Sequence, residues 1–96
     1  MSIIFSSDYY LLSNHESGEE RYDIQLQPKT AAMPGIIIEI KAPKDATKEK
    51  LKALAVNALA QIESKKYDTE LRKQSIKTIY KYGIAFSGKK VEIATN

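Results

Sequence analysis

The sequence predicts an α/β chain, in detail an α+β mixed sheet with one main helix, in the order β-β-β-α-β-β. Three observations predict it. Arg21 to Gln27 alternates strictly between polar and apolar residues, Ile36 to Lys41 is nearly all β-branched, and Leu51 to Ile62 sets apolar residues at helical spacing. With 96 residues the chain is expected to form one domain, 1–96, because that length leaves room for a single core. A fragment cut from a longer protein is the other reading. Hydrophobic content of 43% and charged content of 28% belong to a folded chain and not to a disordered one.

Taken in order, Tyr9 to Asn14 is rich in aromatic and branched residues and reads as the first strand. Arg21 to Gln27 is the second, with Tyr22, Ile24 and Leu26 on one side and Arg21, Asp23, Gln25 and Gln27 on the other. The polar, glycine-containing segment His15 to Glu20 suits a hairpin connection. Pro28 to Gly35 holds two prolines and a glycine and is a loop, since proline cannot donate to a sheet ladder. The third strand, Ile36 to about Lys41, reads as buried on both faces near the middle of the sheet. Period two puts Ile36, Ile38 and Ile40 on one side, and Ile37, Glu39 and Lys41 on the other.

Pro43 ends that strand and Thr47 is suited to cap a helix whose stripe is Leu51, Leu54, Ala55, Ala58, Leu59 and Ile62. Its end is expected near Lys65 or Lys66, cations that complement the helix C-terminus. Asp68 to Gln74 adds a short helical turn. A strand containing Gly83 follows, Ser87-Gly88 turns the chain, and Lys90 to Ala94 returns as the last strand.

Composition narrows the chemistry. The absence of cysteine excludes disulfides, thiolate metal sites and cysteine nucleophiles. The longest apolar run, Ile36 to Ile38, is too short for a membrane span or a secretory signal, so a soluble, cytoplasmic protein with no membrane partner is expected. Fifteen Lys and Arg against twelve Asp and Glu give a mild basic excess. It gathers from Lys65 onward, at residues 65, 66, 72, 73, 77, 81, 89 and 90. Such a half suits a polyanion, or forms solvated helix and strand faces.

The third strand carries the chemically informative residues. Burying an unpaired carboxylate or ammonium costs several kcal/mol, yet Glu39 and Lys41 sit in an otherwise apolar strand, two apart and on one side. Asp23 can join them if the second and third strands are neighbours. Two carboxylates held close repel, and a divalent cation relieves the repulsion while taking oxygen ligands from both. Mg²⁺, or Mn²⁺ in its place, is the natural occupant, and its bound water can attack a phosphodiester. Lys41 would then steady the charge that develops. The plainer arrangement is an ion pair between Glu39 and Lys41 with Asp23 capping a turn or facing water.

Arg21-Tyr22-Asp23, the proline-glycine loop, Ile37-Ile38-Glu39-Ile40-Lys41, and Gln61 with Tyr67 together resemble the PD-(D/E)xK nuclease superfamily, whose core is restriction-endonuclease-like. Ser13 to Gly18, Tyr22 to Ile24 and Gly83 to Lys90 further resemble the nuclease-type domain at the C-terminus of bacterial AAA-type ATPase-like proteins. The likeness runs from about Tyr10 to Ala94, with Gly83 to Lys90 its most specific part. It implies Asp23 and Glu39 as metal ligands, Lys41 as the catalytic lysine, and nucleic acid as the partner, DNA ahead of RNA. It implies Gln61 on the main helix at the active site or nucleic acid, against simple solvation of the helix flank.

Two features depart from that pattern. Five residues separate Gln61 from Tyr67, so the related Q-x-x-x-Y spacing is not kept. The helix that normally opens the fold has only Met1 to Asp8 to form from, so it is expected to be missing or truncated. Glu16 is the nearest replacement for an acidic ligand from that helix. His15 is expected in the turn, and Arg21 either contacts a phosphate or pairs with Glu16, Glu19 or Glu20. Tyr9, Tyr10, Tyr80 and Tyr82 either stack bases or pack within the sheet. A sheet face left bare would favour an ATPase partner or a homodimer, and a nuclease-like module that binds without cutting.

Overall fold

The computed structural model describes residues 2–4, 8–15, 21–64 and 69–96. Its elements are β1 (Ser2–Ile4), β2 (Tyr9–His15), β3 (Arg21–Pro28), β4 (Gly35–Lys41), α1 (Lys48–Ser64), α2 (Thr69–Lys73), β5 (Ile79–Ser87) and β6 (Lys90–Thr95). The six strands form one mixed sheet whose spatial order follows chain order. All neighbours are antiparallel except β4 and β5, which run parallel and are joined through α1 and α2. The α+β class and the order of the elements agree with the sequence, and β1 is an added edge strand. Of the hairpin connection expected over His15 to Glu20, His15 instead ends β2, paired with Tyr22, while residues 16–20 and a helix end at Lys65 or Lys66 lie outside the described residues. No helix among the described residues is long and apolar enough to cross a membrane.

Local chemistry sets the helix start. The Thr47 hydroxyl accepts a hydrogen bond from the Lys50 amide at 3.2 Å, and its carbonyl accepts from Leu51 at 3.0 Å, the two bonds expected of an N-cap. From there the stripe Leu51, Ala55, Ala58 and Ile62 is buried against the sheet. Its first half packs with Ala46 and Ala85, and Ile62 packs with Ile37, Leu71, Ile76 and Ile79. Each buried leucine or isoleucine contributes about 1.5–3 kcal/mol relative to exposure. The small residues allow close approach. A Cβ on Gly83 would collide with the Ala55 carbonyl oxygen and stand 2.6 Å from the Leu59 nitrogen, so α1 rests directly on the backbone of β5.

The register fixes what each face carries. Ile37, Glu39 and Lys41 of β4 share the helix-covered face with Asp23 of β3 and with Ile79, Lys81, Gly83 and Ala85 of β5. The opposite face presents Tyr22, Ile24 and Leu26, then Ile36, Ile38 and Ile40, then Tyr80, Tyr82, Ile84 and Phe86, and finally Val91 and Ile93. Burial on both sides of β4 is therefore corrected. Ile37 is 1% exposed, whereas Ile36, Ile38 and Ile40 are only half-buried, because none of the described elements layers over their side. Tyr80 and Phe86 are exposed on that side. Tyr9 is held by its hydroxyl, which donates to the Pro34 carbonyl at 3.0 Å, and the Tyr10 ring lies 4.8 Å from the Lys29 ammonium.

Candidate functional site

β3 and β4 are neighbours, and their register sets Asp23 directly opposite Glu39. Opposed residues of an antiparallel pair have Cα atoms about 4.5–5.5 Å apart and side chains on one face. The two carboxylates thus share one side of the sheet, the side on which α1 packs against β4, β5 and β6. Glu39 is fully buried and Asp23 half-buried. Lys41, half-buried, follows two residues after Glu39 on the same face, and its backbone pairs with that of Arg21.

Among the described residues, three buried side-chain oxygens accept no hydrogen bond: Asp23 Oδ1, Glu39 Oε2 and Gln61 Oε1. Asp23 and Glu39 each keep other polar or electrostatic contacts. Two carboxylates side by side, one sealed from solvent, form an oxygen-rich donor set that fits a hard divalent cation. Among the described residues no group of three or more Asp, Glu, His or Cys converges.

The other residues singled out in the sequence are distributed unevenly. Gln61 is on α1, the helix that covers this face, and is half-buried. Arg21 occupies a β3 position on the same face by register. Glu16 and Tyr67 lie outside the described residues, and His15 is the last residue of β2. Lys81 was counted with the basic surface and belongs elsewhere. It is buried on β5, diagonal to Glu39, and its Nζ donates to Glu63 Oε2 of α1 at 2.9 Å. The signal was present in the sequence, since Lys81 alternates with Ile79 and Gly83 on the inward side of the strand.

A family model described as the PD-(D/E)XK nuclease superfamily matches residues 1–96, the whole chain. Among curated proteins and among solved structures no significant match to the chain is found. Members of the matched superfamily typically use divalent metals on nucleic-acid substrates, which agrees with the paired carboxylates of Asp23 and Glu39. With its mixed sheet, its β4–α1–β5 crossover and a match along its full length, the chain belongs to the PD-(D/E)XK nuclease superfamily.

Proposed function

We propose that this chain is a metal-dependent nuclease domain, 1–96, that hydrolyses phosphodiester bonds of nucleic acid, DNA ahead of RNA, in the cytoplasm. The observation that carries the reading is the cross-strand pairing of Asp23 with Glu39 on the covered face of the sheet. These two residues would hold Mg²⁺ or Mn²⁺, with Glu16 a further ligand. Bound there, the cation would supply an activated water and neutralise charge on the phosphate. Lys41, beside the pair and still partly open to solvent, steadies the negative charge that builds on the phosphate oxygens. Gln61 and Tyr67 help orient the strand or the attacking water, and Arg21 holds a neighbouring phosphate with its planar fork of donors.

The test is calorimetric titration of Mn²⁺ into the wild type, Asp23→Ala and Glu39→Ala, with plasmid cleavage followed on the same samples. Loss of both binding and cleavage in each variant is the expected result. Lys41→Ala should bind Mn²⁺ as the wild type does and fail to cut. A wild type that binds no cation would sink the catalytic reading.

A second reading draws on the open face. There Tyr80, Phe86, Val91 and Ile93 are 46%, 39%, 53% and 60% exposed. A nuclease-like module that no longer cuts, seated on an AAA-type ATPase of bacterial type or on a second copy of itself, would use such a surface. Cation binding separates the two readings, because the binding module tolerates alanine at Asp23 and Glu39 without loss of its partner.

A further inference from the structure

The parallel pair β4 and β5 ends beside a pocket that the metal site does not use. Ala42, Pro43, Lys44 and Asp45 follow β4 and face Phe86, Ser87, Gly88, Lys89 and Lys90 of the β5–β6 turn across a cavity of about 620 Å³. Its lining carries three lysines against one carboxylate. The walls are tied together. Ser87 Oγ accepts from the Ala46 amide at 3.2 Å, and Lys90 Nζ donates to the Ala46 carbonyl at 3.4 Å. Asp45 turns the chain with φ 51°, Gly88 with φ 62°, and Ala46 is buried between them. Lys90 is thus partly committed to holding the pocket, while Lys44 and Lys89 remain exposed on its rim.

We infer that this basic pocket at the carboxyl ends of β4 and β5 holds a backbone phosphate of the nucleic acid, with Lys44 and Lys89 as its cationic contacts. The inference rests on the nucleic-acid reading above and adds a place for the strand beyond the scissile bond. In open sheets with a strand–helix–strand crossover, ligands settle outside the carboxyl ends of the parallel strands. Distance supports the assignment. Ala42 stands three positions after Glu39, about 10 Å at roughly 3.3 Å per strand residue. That is about three steps of a duplex strand at roughly 3.4 Å each. Ammonium groups on flexible stems suit this task, since a phosphate contact needs charge and not base-reading geometry.

The experiment is fluorescence anisotropy of the full chain with a labelled duplex oligonucleotide in EDTA, repeated over a series of KCl concentrations. Lys44→Ala and Lys89→Ala should each weaken binding and lower the slope of log affinity against log salt by about 0.9, the value for one lost phosphate contact. Lys52→Ala, on the exposed side of α1, should leave the slope unchanged. Unaltered slopes in the two pocket variants overturn the inference, as does an equal fall in Lys52→Ala. ATP binding tighter than the duplex, and dependent on the same lysines, would also overturn it by assigning the pocket to a free nucleotide. Wild type that binds the duplex with lysine-dependent slopes but fails to cut with Mn²⁺ keeps the pocket and removes the nuclease reading. Cleavage with unchanged slopes in Lys44→Ala and Lys89→Ala does the reverse, and a wild type that binds no duplex removes both.

Discussion

The two faces of the sheet carry opposite chemistry to the one their surroundings would select. From β3 to β6, every charged strand residue, Asp23, Glu39, Lys41 and Lys81 among them, lies on the side that α1 covers. The side without a helix holds only apolar, tyrosine, proline and threonine positions across the same strands. A sheet with one wet face normally turns its polar residues outward. Here the charges share the covered side with the core residues Ile37, Ile79 and Ala85, while the other side is almost wholly apolar, so neither face is explained by folding in water alone. The inner charges need partners, which Lys81 finds in Glu63. The outer hydrophobes are half-buried or exposed and gain little from the fold as it stands.

That contrast can be broken most forcefully with one kind of truncation on both sides. Ile37→Ala, in the core beside Ile62 and Leu71, should cost about 4 kcal/mol, and Ile93→Ala, on the open side, less than about 1 kcal/mol. Urea unfolding measures both, and equal costs would mean that the open side is covered in solution. Next in size is Gly83→Ala. The added methyl meets the α1 backbone, which cannot yield as a side chain does, so a loss of about 3 kcal/mol is expected. A loss below about 1 kcal/mol would show that the helix sits less tightly than the covered face requires. The smallest effect is expected at the buried carboxylate. Glu39→Gln keeps the shape and a polar end while removing the charge, and should change stability by less than about 1 kcal/mol while abolishing Mn²⁺ binding. A destabilised variant would mean that Glu39 serves the fold rather than a ligand.

Much of this arrangement was legible in the sequence, for reasons that also explain the failures. Alternation in Arg21 to Gln27 and helical spacing in Leu51 to Ile62 report which side of an element is apolar, and both elements formed as read. Period two put Asp23, Glu39 and Lys41 on common sides, but only the register made Asp23 and Glu39 opposite neighbours. An isoleucine run reads the same whether one face or both are covered, which is why β4 looked buried throughout. β1 spans three residues, too few for any periodicity to show. Lys81 is an inward residue of β5 although it falls within the basic stretch of the sequence, because position along the chain does not report strand face.

The order of strands has a consequence for how the two candidate sites depend on the fold. Because the strands pair in chain order and, among the described elements, only β4 and β5 run parallel and are joined through helices, the molecule is two meanders stitched by a single crossover. Asp23 and Glu39 both belong to the first meander and face each other across one hairpin pair. The lysine pocket takes one wall from each meander, and the walls are held together by hydrogen bonds between residues 41 and 44 positions apart. Loosening the crossover would part the pocket while the carboxylate pair stayed together. A cation could then still be held by a molecule that had already let go of its strand.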